Sequence, residues 1–215
     1  MRTMLFIAVI GTLSVACSSA VRADVELAHV EVRGTGEQTL VLIPGLVCDW
    51  TVWESFMDRN AEAYTMHAVT LPGMAGTDPF PTPESIEGTP WLDGSLEAVV
   101  SMIREKGLED PIVVGHSMGG TLAMRAAIEH PDLIAGAVSV DGMTAFPLGP
   151  TSVTEDQRTE MVNTVLGPQM LNAPDEQWFG QFEMMGPVQM TDQTQYDTWK
   201  AHFRKTPAKV GARYM

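Results

Sequence analysis

The chain has 215 residues, 45% of them hydrophobic and 19% charged, with a formal net charge of −14. This length suits one domain with ample apolar material for a core, and the composition excludes disordered and collagen-like classes. The acidity argues against nucleic acid and anionic membrane surfaces as partners.

Arg2 gives the chain a positive start, and Met4–Ala16 is an apolar run too short to span a bilayer comfortably. Small residues follow, ending in Val21-Arg22-Ala23 before Asp24. This layout predicts a secretory signal peptide over residues 1–23, and hence an exported protein, periplasmic or secreted, with no stable membrane span. Ser14-Val15-Ala16-Cys17 loosely matches a bacterial lipobox, which leaves lipid anchoring at Cys17 as the alternative; leucine is usual where Ser14 stands. Cleavage after Ala23 removes Cys17 and leaves Cys48 alone, so no intramolecular disulfide is then available. Cys48 reads as a small buried hydrophobe rather than a reactive thiol.

Val25–Val32 alternates as an early strand, and Gly34 and Gly36 turn the chain. Leu40-Val41-Leu42-Ile43 is a continuous apolar run stopped by Pro44-Gly45, the pattern of a strand buried on both faces of a parallel sheet. Met66–Val69, Ile112–Val114 and Ala137–Val140 are further candidates. Between them, Thr89 is an N-cap candidate with Pro90 at the first helical position. Leu96, Val99, Val100 and Ile103 then line one helical face, and Gly107 closes that helix. Met118–Glu129 is the next helix. Strands alternating with helices predict an α/β fold with a mostly parallel sheet flanked by helices. From Thr144 onward no strand-like run occurs. Methionines and aromatics recur instead, with Tyr196, Trp199 and Phe203 on one helical face. The expected division is a core over residues 24–146 and a helical cap over 147–215. The basic residues from Lys200 to Arg213 read as a solvated helix face.

The chemistry concentrates in Gly115-His116-Ser117-Met118-Gly119, where a buried strand meets G-x-S-x-G and a helix follows at once. Such a turn lifts a serine hydroxyl clear of the sheet and needs glycines where side chains would strike neighbouring backbone. It also sets Ser117 at a helix N-terminus, whose positive dipole end favours developing negative charge. The Met118 N–H is then one expected oxyanion donor, and the loop Leu42-Ile43-Pro44-Gly45-Leu46 supplies the second, with the Leu46 N–H first choice and Val47 next.

These segments resemble the α/β-hydrolase superfamily, and specifically its esterase- and lactonase-like members. Leu42–Leu46, with Trp53 downstream, resembles the family's H-G loop with Pro44 in place of histidine. Leu71-Pro72-Gly73-Met74-Ala75-Gly76-Thr77 resembles its P-G-x-G-x-S segment with the second glycine shifted by one. The resemblance covers Val25 to about Phe146, the rest looking like a helical cap. It implies a serine hydrolase acting on a small-molecule ester, thioester or lactone through an acyl-enzyme on Ser117, with no cofactor. Dehalogenase and epoxide hydrolase members use an aspartate at the elbow, so Ser117 argues against those activities.

The departure from the family is as informative. Its triad runs Ser, then Asp or Glu, then His, with the last two on loops after late core strands. Here no strand run follows Val140 and no histidine follows His202. The expectation is therefore a C-terminally truncated sheet and an incomplete triad. Asp141 and His202 are weak stand-ins for acid and base; His116 is expected to point away from the nucleophile; His29, His67 and His130 read as surface or strand-end residues. The histidines show no metal-ligand spacing. The rival reading is a truncated, non-catalytic homologue that binds a small apolar ligand without turnover. Oligomeric state is not legible.

Overall fold

The computed structural model describes residues 26–79, 90–142, 154–190 and 192–214. The signal peptide, the Thr89 cap and the 146/147 boundary all lie outside them.

Among the described residues five strands form one sheet in the order β1-β3-β2-β4-β5: β1 His29–Arg33, β2 Gln38–Ile43, β3 Tyr64–Thr70, β4 Ile112–His116 and β5 Gly136–Val140. β1 runs antiparallel to β3, and every other pairing is parallel. Parallel neighbours need long crossovers, and helices supply them: α1 Glu54–Asn60 after a 3₁₀ turn at Trp50–Trp53, α2 Pro90–Glu105 and α3 Met118–Glu129. The sequence places the early strand at Val25–Val32, whereas the described strand starts at His29. Strand-to-strand pairing with β3, not local alternation, sets that start.

The period of two along each strand divides the core. On one face Val41, Ile43, Val69 and Val113 pack with Leu96, Val99, Val100 and Ile103 of α2 and with Leu122, Ala123 and Ala126 of α3. On the other, Leu40, Leu42, Met66 and Ala68 pack with Met57 of α1. Each fully buried aliphatic side chain contributes about 1.5–3 kcal/mol relative to exposure. The α1 face is covered unevenly: Val138 and Val140 of β5 remain 48% and 45% exposed. His67 corrects the sequence expectation. It sits inside β3, paired with Val41 and Val32, and is buried rather than at the surface or a strand end. Burial holds its imidazole below the usual value of 6.5, and the charge of Lys106 adds to the shift.

The C-terminal region is helical: α4 Glu155–Met161, a π-helical stretch Val162–Leu166, α5 Gly167–Leu171, α6 Asp175–Gln189, α7 Gln193–Phe203 and α8 Ala208–Gly211. Among its described residues there is no strand. Its core joins Trp178, Phe179, Trp199, Phe203 and Ala208 to Val47 and Cys48 from the loop after β2. The expected aromatic face of α7 is present: the Trp199 ring lies 5.8 Å from Tyr196 and 4.5 Å from Phe203. The basic stretch is not merely a solvated face. Arg204 is half-buried, pairs with Glu176 at 2.8 Å and with Glu183, and lies 4.8 Å over the Phe179 ring. Two hydrogen bonds fasten this region to the loop after β3: Ala75 N–H donates to Thr206 Oγ1 at 2.8 Å, and the Tyr214 hydroxyl donates to the Pro72 carbonyl. Among the described residues no helix is long and apolar enough to cross a membrane.

Candidate active site

β4 ends at His116 and α3 begins at Met118, so Ser117 alone makes the corner. Its backbone has φ 52° and ψ −120°, a conformation that is costly for any residue with a side chain. The neighbours hold it there: Ser117 N–H donates to Val140 O at 2.8 Å, and its own carbonyl accepts from Thr121 N–H at 3.1 Å. The flanking glycines are sterically required. A Cβ on Gly119 would lie 2.3 Å from the Ile43 carbonyl oxygen and 2.5 Å from that of Pro44. The first turn of α3 therefore presses directly on the end of β2, which glycine alone permits.

The loop after β2 crosses the elbow. A Cβ on Gly45 would lie 3.4 Å from Ser117 Cβ and 3.1 Å from His116 Nδ1. The loop thus brings Gly45 against Ser117. Met118 is the first residue of α3, so its N–H has no intrahelical partner. Leu46 is half-buried and packs on the main core. Val47 follows in the left-handed region, φ 61°, with its side chain fully buried.

The histidines fall out differently. The ring of His116 is half-buried beside the Gly45 loop. Burial lowers its pKa, and the nearby charge of Asp141 opposes that shift. Asp141 follows β5 at φ 56° and is exposed. His202 of α7 places Nδ1 2.7 Å from Asp49 Oδ2. Since a carboxylate only accepts, Nδ1 carries the proton in that bond. Asp49 Oδ1 also accepts from Thr51 N–H at 3.2 Å and Thr51 Oγ1 at 2.5 Å, capping the 3₁₀ turn. One residue earlier, Trp199 Nε1–H donates to Cys48 Sγ at 3.2 Å. Sequence reasoning did not single out Asp49; the Asp49-x-Thr51 spacing before Trp53 was its available signal, as a capping motif. Among the described residues no side chain hydrogen-bonds Ser117 Oγ, and no group of three His, Cys, Asp or Glu is placed to hold a metal.

Comparison with known proteins fits this geometry. The family model described as alpha/beta hydrolase family matches residues 40–214. The pimeloyl-[acyl-carrier protein] methyl ester esterase of Yersinia enterocolitica is 27% identical over 113 residues, covering 53% of this chain and 40% of that protein. The karrikin insensitive 2 receptor CA of Petunia hybrida is 30% identical over 123 residues, covering 57% of this chain and 45% of the receptor. The matched segment thus spans under half the length of these curated relatives. Among solved structures, a hydrolase from Oleispira antarctica has a TM-score of 0.60 at 17% identity, covering 86% of this chain and 66% of its own. An epoxide hydrolase from Vigna radiata has a TM-score of 0.62 at 18% identity, with the same coverages. At these identities the structures speak for the fold alone, a mostly parallel sheet flanked by helices. With the family match running from β2 through the last described helix, the chain belongs to the alpha/beta hydrolase family.

Proposed function

We propose that the protein is a serine hydrolase that cleaves a small ester, thioester or lactone through an acyl-enzyme on Ser117. The observation that carries this reading is the placement of Ser117, at positive φ on the N-terminus of α3, beneath the Gly45-Leu46 loop. In this reading Ser117 Oγ attacks the acyl carbon, and the alcohol or thiol leaves with the proton lost by the hydroxyl. Water then attacks the acyl-enzyme and frees the acid and Ser117. In each half-reaction the carbonyl oxygen becomes an oxyanion, which accepts hydrogen bonds from the Leu46 and Met118 N–H groups and is favoured by the α3 dipole. The name of the Yersinia relative, a methyl ester esterase, supports ester chemistry over other hydrolytic reactions. No cofactor enters this scheme.

A fluorophosphonate probe tests the proposal. Labelling of the chain, lost in Ser117→Ala with the circular dichroism spectrum unchanged, is expected. Labelling that persists in the variant moves the nucleophile elsewhere. The second reading, ligand binding without turnover, is favoured by one observation: among the described residues Ser117 Oγ has no hydrogen-bonded base. Absence of labelling in a folded protein would select it. We further propose export, with residues 1–23 as the leader. N-terminal sequencing of the exported protein should begin near Asp24; a lipid-modified Cys17 would make it a lipoprotein, and an intact Met1 would exclude both.

A further inference from the structure

We infer that Trp199 and His202 of α7 are positioning residues that hold the oxyanion loop in its working shape, acting through Cys48 and Asp49; the inference rests on the serine-hydrolase reading of Ser117. The loop carries a conformational problem. Val47 is β-branched and lies in the left-handed region at φ 61°, where such residues are strongly disfavoured. Backbone strain of this kind persists only when the surroundings over-determine it. The turn itself is closed by the Cys48 N–H on the Gly45 carbonyl at 3.2 Å, and the packing around it comes from the helical region. The fully buried Val47 side chain belongs to the cluster of Trp178, Phe179, Trp199, Phe203 and Ala208. The two residues after it are each tied to α7, Cys48 by the Trp199 N–H at 3.2 Å and Asp49 by His202 Nδ1–H at 2.7 Å.

Trp199 and His202 are three apart in α7, so they project from one face and reach consecutive residues of the loop after β2. Thr51 completes the anchor, its N–H and hydroxyl both on the second oxygen of Asp49. The proposed Leu46 donor lies between two fixed points. On one side Gly45 rests on Ser117; on the other, Val47, Cys48 and Asp49 rest on α7. An oxyanion donor acts by being fixed before the charge develops, so its rigidity is part of the catalysis. By this inference the helical region is more than a wall around the substrate; it sets the direction of a backbone N–H.

Two readouts on the full chain separate this role from the function it serves. The first is amide hydrogen exchange of the Leu46–Cys48 segment. It should quicken in His202→Ala and stay near wild type in His202→Asn, whose amide nitrogen can replace Nδ1 as the donor to Asp49. The second is the rate of fluorophosphonate labelling and of p-nitrophenyl acetate turnover. In His202→Ala, labelling and kcat should fall about 10-fold with KM nearly unchanged, less than the ~100-fold cost of deleting an oxyanion donor, and His202→Asn should restore most of the rate. Asp49→Asn, close to isosteric, gives the same test without a cavity. If exchange quickens but wild type is never labelled, the tether stands and the hydrolase reading falls. Unchanged exchange in both His202→Ala and Asp49→Asn overturns the tether whether or not Ser117 reacts. A His202→Asn variant as slow as His202→Ala, yet with wild-type exchange, also overturns it, because His202 would then act through its ring.

Discussion

A Cβ placed on Gly115 would lie 1.9 Å from the carbonyl oxygen of Gly119. That clash is with backbone, which cannot rotate aside. Gly115→Ala must therefore move the elbow or expel α3, and a cost of about 3 kcal/mol is expected. Gly180, inside α6, has open space around its Cβ direction. There the same substitution should stabilise by about 0.5–1 kcal/mol through helix propensity. Thermal melts of the two variants should move in opposite directions; a neutral Gly115→Ala would mean the elbow is not this tight.

Turnover should be slow. Among the described residues no base reaches Ser117 Oγ, and a serine hydroxyl without one is a weak nucleophile. An oxyanion hole and binding alone leave only a residual ~10³–10⁴-fold advantage over water. Hydrolysis of p-nitrophenyl acetate should fall well below the typical kcat of about 10 s⁻¹. A value at that level would require a general base within the chain, and Asp141→Asn and His202→Asn would be the first variants to separate the candidates.

Cys48 should be inert in the folded protein. Burial pushes its thiol up to about 12, outweighing the stabilising hydrogen bond from Trp199. The thiolate is the reactive form, so almost none is present near neutral pH. Peptide mapping after iodoacetamide treatment should find Cys48 unmodified in native protein and modified after unfolding. Native-state alkylation at the pace of a free thiol would show that the loop opens.

Acid should destabilise the fold partly through His67. Its folded pKa lies below 6.5 because burial disfavours the charged ring. Between the folded value and about 6.5 the unfolded chain binds more protons, so stability falls as pH drops through that window. His116 adds a change of the same sign, opposed in part by Asp141. Urea midpoints compared between about pH 7.5 and 5.5 should drop less in His67→Gln than in wild type. Equal drops would assign the acid sensitivity elsewhere.

The parts legible in the sequence were those governed by local rules. Glycines at Gly115 and Gly119, an apolar run before them and a helix after them describe the elbow, because each requirement is met within a few residues. The four parallel strands show themselves as apolar runs; cover on both faces buries β2 and β3, while Val138 and Val140 of β5 stay exposed. His67 escaped the same rule: one polar residue inside an apolar strand looks like its end, and only pairing with Val41 and Val32 shows it to be interior. The contacts of Asp49 with His202 and of Cys48 with Trp199 join residues far apart in the chain, and no periodicity encodes such a meeting. The strain at Val47 was equally hidden, since valine carries no turn signal.

The uneven cover on the sheet has a consequence for behaviour in salt. β5 pairs with β4 on one side, and among the described residues nothing pairs with its other side, while Val138, Val140 and Ile128 are exposed nearby. Such an edge is a template for strands of other molecules. The formal charge of −14 opposes that approach, because two copies repel before their edges meet. The repulsion reaches about 30 Å at 0.01 M ionic strength but only about 3 Å at 1 M. Dilute buffer should therefore keep the molecules apart, and added sodium chloride should drive association visible as rising light scattering. Among the described residues charge, rather than geometry, guards that side of β5.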